Sequence, residues 1–528
     1  IPVLGYKKNG QQFISHCLDK ECDFFDEIPV YFIDEAIYEK QPTFLIGTVD
    51  KFVQLTWNPK ARSIFGIGES GEQVVTPPNL IIQDELHLIS GPLGTLAGLY
   101  EMVIEEFCTK VINGKRIKPK IISATATIKE FEIQAKSLFG RTKAKLFPSP
   151  GLDIDDSFFA KVATDKDGIA LPGRKYVGIY TTNVGLLMSQ VKVFSSVLEE
   201  GKRLPEKERD PYWTLLAFYN SLRDLGAGIN LCSMDIPTYM NAIKNREGYP
   251  EMRFIQHPLE LTSRIQSNKI AATLDKLKIE LTSNNAKNVL DVCLASNIIE
   301  VGVDIDRLSL MAVVGQPKTT AQYIQVTGRV GRRWFERPGV IFTLYSNRSS
   351  RDKSHFEHFN EYHQRLYAQV ETTSVTPFSD ASLDRGLAAI VIAFLRQRFS
   401  KTMAIEPNVE GYKEILIDVK FKQFIRNIKA RLKLIDPEQN DYFDAKYREF
   451  HDLIMAGNYN TWKADDGMQG IMYISGDPAA PELYPDAIPM INSLRSVDAT
   501  SYGEITTSVN KDHAKEEIIE DALGDLLK

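Results

Sequence analysis

Cysteine is scarce in this chain: there are five among 528 residues, an odd number scattered through a large protein. That usage excludes a disulfide framework and points to a reducing compartment, with the cytoplasm as the default expectation. Long hydrophobic runs are missing too. No stretch reaches the roughly 18 apolar residues of a membrane-spanning helix, so none is expected. The eight histidines form no ligand cluster. Excess positive charge is also lacking, since the formal net charge is −6. This excludes a small, uniformly basic domain and confines any contact with a polyanion to a local groove. No internal repeat and no low-complexity segment is present, which excludes solenoids. The chain starts at Ile1 without signal peptide or charged leader, and so reads as a piece of something longer.

What is present is ordinary globular composition, 43% apolar and 25% charged. The length suggests about three or four domains of ~100–200 residues each. FLIGTVDKF (Phe44 to Phe52), NLIIQDELH (Asn79 to His87) and KIISATAT (Lys120 to Thr127) each start as an apolar strand and end in polar residues. Gly91 to Cys108 carries apolar residues at helical spacing. Strand, helix and strand in succession imply a parallel sheet, whose ligands sit at the carboxyl ends of the strands. Residues 1–140 are therefore expected to form the first lobe, including a small Cys-containing segment at its start. Residues 141–174, broken by FPSPG, LPG and several Asp, read as a linker. WTLLAFYNSLRDLG, VLDVCLAS, LSLMAVVGQP and GVIFTLYS supply a second sheet within 175–346, and 347–528 turns to charge-rich helices.

Three short runs carry the chemistry. In DELH, Asp84 and Glu85 place adjacent carboxylates on opposite sides of a strand end. One can hold Mg²⁺ through water while the other positions or deprotonates an attacking water. His87 follows directly. SATAT gathers the hydroxyls of Ser123, Thr125 and Thr127, able to bind carboxylates or simply to cap a helix. In QVTGRVGRR, Gln325 can position nucleotide or water. Arg329 and Arg332, three apart at the start of a helix, can neutralise charge developing on a γ-phosphate. Gly302 and Asp304, in IIEVGVDID, lie where the second lobe would sense both nucleotide and nucleic acid.

DELH, SAT, GVDI and QVTGRVGRR, in this order along the chain, resemble motifs II, III, V and VI of superfamily 2 helicases, while TVDKF (Thr48 to Phe52) and AFYNSLRD (Ala217 to Asp224) are similar to motifs Ib and IV. The likeness spans approximately Pro42 to Ser346. It implies an α/β fold, with two tandem RecA-like parallel-sheet lobes followed by a mainly helical C-terminal region. It also implies ATP-driven movement along nucleic acid. By that resemblance Thr48 and Lys51 in the first lobe, and Asn220, Ser221 and Arg264 in the second, would contact the phosphate backbone, with little sequence preference. A narrower resemblance, carried by PPNLIIQDELHLISGPLGTLAGLYE, FPSPGLDIDDSFFA and SRDKSHFEHFNEYHQRLYAQVETTSVTPFSDASLDRGL, is to the helicase subunit of the DISARM anti-phage system. That subunit works on DNA with a partner carrying a DUF1998-type domain. A repair or RNA helicase outside DISARM, and a non-hydrolysing nucleic-acid scaffold, are the alternatives.

One departure stands out: no GxxxxGK[ST] phosphate loop occurs in the chain. The expectation is that this loop lies upstream of Ile1. Two further features stay open. Lys420 to Lys433 puts Phe421, Phe424, Ile425, Ile428 and Leu432 on one helical face and Lys422, Arg426, Lys429 and Lys433 on another. This fits a nucleic-acid channel, a partner dock or an amphipathic helix with a solvated basic side. Cys17 and Cys22 are either half of a four-cysteine Zn²⁺ site or free thiols.

Overall fold

Strands buried on both faces have no polar side to show, so they read as unbroken apolar runs. Leu215–Tyr219, Val292–Ala295 and Leu310–Val314 are such strands, buried at every residue. A computed structural model describes residues 4–9, 12–125, 130–149, 152–153, 156–171, 173–256, 258–282, 285–297, 304–371, 374–457, 459–464, 468–476 and 480–494. In it these three strands form the middle of a six-stranded parallel sheet. The order across the sheet is Arg174–Tyr180, Gly339–Tyr345, Leu310–Val314, Leu215–Tyr219, Val292–Ala295, Leu259–Leu261. Alternate side chains enter two separate cores. Leu216, Phe218, Cys293, Met311 and Val313 pack on one face, and Leu215, Ala217, Tyr219, Leu294, Leu310 and Ala312 on the other. This second lobe is the one the apolar runs anticipate.

The first lobe is more economical. Leu80–Gln83 pairs in parallel with Lys120–Ser123, with the helix Gly91–Cys108 between them in sequence. Phe44–Phe52 is not a strand, contrary to the expectation from its apolar start: it runs irregularly into a 3-10 turn, Val49–Val53. Among the described residues no neighbouring strand pairs with it. Phe44 (72% exposed) and Ile46 (83% exposed) point to solvent, and an apolar run without a partner strand makes no sheet.

Residues 347–494 are mainly helical, as expected, and also carry a small parallel sheet of Thr461–Lys463, Gly470–Ile474 and Ile488–Met490. Their core is continuous with that of the first lobe. The helix Asp380–Arg398 is buried almost all round, the pattern of a helix enclosed by others. Phe394 lies 5.7 Å from Phe107 and 4.1 Å from Phe424, stacked on both. The backbone carbonyls of residues 55–58 are gathered by the same helix. Arg396 donates to Thr56 (2.7 Å) and Trp57 (2.9 Å), and Gln397 to Leu55 (2.7 Å) and Asn58 (2.8 Å). Burial among carbonyls with no carboxylate beside it lowers the Arg396 guanidinium to about 10.

The amphipathic stretch Lys420 to Lys433 is a helix, Val419–Ile435, with its apolar face buried and Lys422, Arg426 and Lys433 of its basic face exposed, as an amphipathic helix with a solvated basic side would be. Phe421, Phe424, Ile428 and Leu432 are buried. Lys429 pairs with Asp444 at 2.6 Å, and Lys420 with Glu72 at 2.6 Å. Arg431 is buried as well, donating to Glu105 (3.1 Å) and the Phe139 carbonyl (3.1 Å) of the first lobe.

Candidate nucleotide cleft

Strand pairing in the first lobe stops at Gln83 and Ser123, and two further bonds zip the loops beyond: Ala124 N donates to Gln83 O and Leu86 N to Ala124 O, both at 2.9 Å. Asp84 and Glu85 turn outward between those bonds. They sit past the strand, so a turn rather than the pleat aims them. Glu85 takes φ 50°, ψ 47°, a left-handed conformation that costs a non-glycine residue ~1–2 kcal/mol. Its amide donates to Asp84 Oδ1 at 3.0 Å. Asp84 is exposed and Glu85 partly so. Two adjacent solvent-facing carboxylates are a fitting donor set for a hydrated Mg²⁺.

His87 sits behind them with only 6% of its side chain exposed. Nδ1 is 3.3 Å from Thr125 Oγ1 and 3.5 Å from Glu85 Oε2. Nε2 meets the side-chain amide nitrogen of Gln325, 238 residues away in the second lobe. One imidazole thus joins the DELH turn, the SAT run and the second lobe. Gln134, which the sequence reading missed, donates to the Leu86 (3.1 Å) and Ile89 (2.9 Å) carbonyls and holds this turn from behind. Its only trace in sequence is a polar residue on the buried side of the helix Phe131–Phe139.

Burial lowers the pKa of His87 below its usual 6.5, with Glu85, the Gln325 hydrogen bond and Asp84 opposing. The unfolded chain therefore takes up the proton more readily. The stability contributed by neutral His87 is complete above about pH 6.5 and is lost as pH falls through the folded-state value. The melting temperature is expected to drop more steeply toward about pH 5 than that of His87→Asn; parallel slopes would remove His87 from this balance.

Gln325 lies in the last turn of the helix Thr320–Thr327, whose N-terminus Thr319 caps by accepting from Gln322 N (3.2 Å). Arg329 and Arg332 were expected at the start of a helix. They follow the end of this one instead, because Gly328 caps it and Gly331 turns the chain at φ 67°. Only glycine fits there, since a Cβ on Gly331 would stand 2.7 Å from Gly339 Cα. Arg329 is half-buried. Arg332 pairs with Asp304, while its Nε is buried with no hydrogen-bond partner among the described residues. A guanidinium with a donor in reserve suits a phosphate.

Ser123 ends its strand. Thr127 and Gly302 lie outside the described residues. Thr48 is exposed ahead of its 3-10 turn, and Lys51 pairs with Asp34 at 2.9 Å. Asn220 donates to the Val314 (3.1 Å) and Gly315 (3.0 Å) carbonyls. Ser221 caps the helix Leu222–Ser233 by accepting from Asp224 N. Arg264 is exposed, its amide donating to Thr262 Oγ1. Cys17 is buried and its sulfur accepts from Asp19 N, while Cys22 is half-exposed. Among the described residues no three His, Cys, Asp or Glu side chains gather to hold a metal, and no helix is long and apolar enough to cross a membrane.

Comparison with known proteins follows this geometry. The helicase conserved C-terminal domain matches residues 253–333. Over 423 residues the chain is 40% identical to the DISARM protein DrmA of Bacillus paralicheniformis, covering 74% of this chain and 37% of that protein. The chain is thus similar to DrmA over about three quarters of its own length and carries a match to the helicase conserved C-terminal domain. It is also 34% identical over 65 residues to the ATP-dependent helicase Lhr-Core of Methanocaldococcus jannaschii, which is 12% of this chain and 8% of that one. Among solved structures, the DUF1998 helicase MrfA bound to DNA and AMPPNP aligns with a TM-score of 0.46 and 16% identity over 72% of this chain and 45% of that one. The chain spans 37% of the length of the first of these curated relatives.

Proposed function

We propose that this chain is an ATP-hydrolysing translocase acting on DNA in a DISARM-type anti-phage defence. The observation that carries the reading is the contact of His87 with Gln325, which brings the DELH turn and the QVTGRVGRR turn to one cleft between the lobes. ATP would lie in that cleft. Asp84 would hold Mg²⁺ through water, Glu85 would take the proton of the attacking water, and Arg329 with Arg332 would neutralise charge on the transferred phosphate. Bound Mg²⁺ would supply charge neutralisation at the phosphates. Thr125, sharing His87 with Gln325, would register nucleotide state. Thr48, Lys51 and Arg264 offer a hydroxyl and two cations at the surface for a phosphate backbone, with Asn220 and Ser221 shaping the loop beside the second-lobe sheet. A partner with a DUF1998-type domain, a Zn²⁺ site completed around Cys17 and Cys22, and a cytoplasmic location belong to the same reading.

The test is ATP turnover by the intact protein with single-stranded DNA, with RNA and with neither. Stimulation by DNA at least about tenfold above RNA supports the reading. Preference for RNA would move the substrate outside DISARM, and no turnover with either would leave a nucleic-acid scaffold.

A further inference from the structure

Glu371 lies outside every motif, yet its carboxylate grips the first residue of the helix that presents Gln325. Oε1 and Oε2 accept from Thr320 N at 2.8 and 2.9 Å, and Oε1 accepts from Thr320 Oγ1 at 3.0 Å. Thr319 already serves the Gln322 amide, so Glu371 satisfies a different one of the four donors that a helix N-terminus leaves open. The carboxylate also complements the positive end of the helix dipole. A directed chain of hydrogen bonds ends on it: Gln316 Nε2 donates to Tyr362 OH (3.2 Å), Tyr362 OH to Thr320 Oγ1 (3.1 Å), and Thr320 Oγ1 to Glu371. Each hydroxyl gives once and receives once, so each bond polarises the next.

Just downstream, the same strand of chain holds the other motif helix. Ser374 O accepts from Gly91 N at 2.8 Å, and Thr376 N donates to Thr95 Oγ1 at 3.1 Å. Val375 is buried against Gly94, where a Cβ would come within 3.0 Å of its Cγ2. Gly91 opens the helix that follows the DELH turn. Glu371 and the segment Ser374 to Thr376 therefore touch the first turns of two helices, one carrying Gln325 and the other following His87, the two residues that meet in the cleft.

We propose that Glu371 is a positioning residue for the cleft: by holding the N-terminus of the Gln325 helix, it sets the reach of Gln325 toward His87. The inference rests on the reading of the cleft as an ATP site, and it is tested on the intact protein with Glu371→Ala and Glu371→Gln. Three quantities are measured: ATP turnover with single-stranded DNA, the melting temperature, and hydrogen exchange of the segment Thr320–Thr327. Glu371→Ala is expected to raise exchange in that segment and to lower kcat about tenfold, with KM for ATP and the melting temperature nearly unchanged, because a displaced group harms the reacting geometry more than binding. Glu371→Gln keeps an oxygen for the Thr320 amide and should recover most of the loss. Unchanged exchange in Glu371→Ala, or raised exchange with wild-type kcat, overturns the proposal. If the wild-type protein itself does not hydrolyse ATP, the functional reading fails, and exchange alone then decides whether Glu371 holds the helix.

Discussion

Glu85→Gln is expected to leave ATP binding intact and to slow hydrolysis by about 10²–10⁴-fold, the usual contribution of a positioned general base. That corresponds to roughly 3–5 kcal/mol of barrier at 1.36 kcal/mol per decade. Glutamine matches the carboxylate in shape and can follow it into the left-handed turn, so the bonds of Ala124 to Leu86 and to Gln83 should stay. What is lost is the acceptor for a proton. The substitution also removes a negative charge that favours the imidazolium form of His87. His87 then stays neutral and keeps its contact with Gln325, so the loss is not a side effect of breaking the interlobe contact. ATP affinity and single-turnover hydrolysis in the intact protein separate the outcomes. Turnover within about twofold of wild type would take the base role away from Glu85.

Phe394→Ala is expected to destabilise the protein by about 3–5 kcal/mol, the range for emptying a buried aromatic site. Its ring is 1% exposed and sits between Phe107 of the first lobe and Phe424 of the helix Val419–Ile435. Both neighbours would lose a stacked face, and interiors collapse only partly around such gaps. Because one core serves both regions, the loosening should appear together in Gly91–Cys108 and Val419–Ile435 when hydrogen exchange is followed in denaturant. Exchange rising only in Val419–Ile435 would mean that the C-terminal region is an attachment rather than part of the first lobe.

That shared core is where the chain was least legible. A helix buried all round shows no polar stripe to say what surrounds it, and Asp380–Arg398 is packed by residues from both ends of the sequence. Phe44–Phe52 misled for a different reason: it opens on an apolar run, but a strand exists only if another pairs with it. The arginines of QVTGRVGRR were misplaced by one element because local pattern does not reveal that Gly328 and Gly331 end a helix rather than begin one. Gln134 and Glu371 left almost no local signal, since each works by reaching the backbone of a segment far away in sequence.

Composition and pattern alone were enough for the layered α/β class, for the central strands of the second sheet and for the helix Gly91–Cys108. Those features depend on local periodicity and on residue type. The meeting of His87 with Gln325, the Arg332–Asp304 pair and the fusion of residues 374–494 with the first lobe arise between segments up to hundreds of residues apart. Such contacts form only when burial of large apolar faces repays the entropy of closing long loops, and no window of neighbouring residues records that balance.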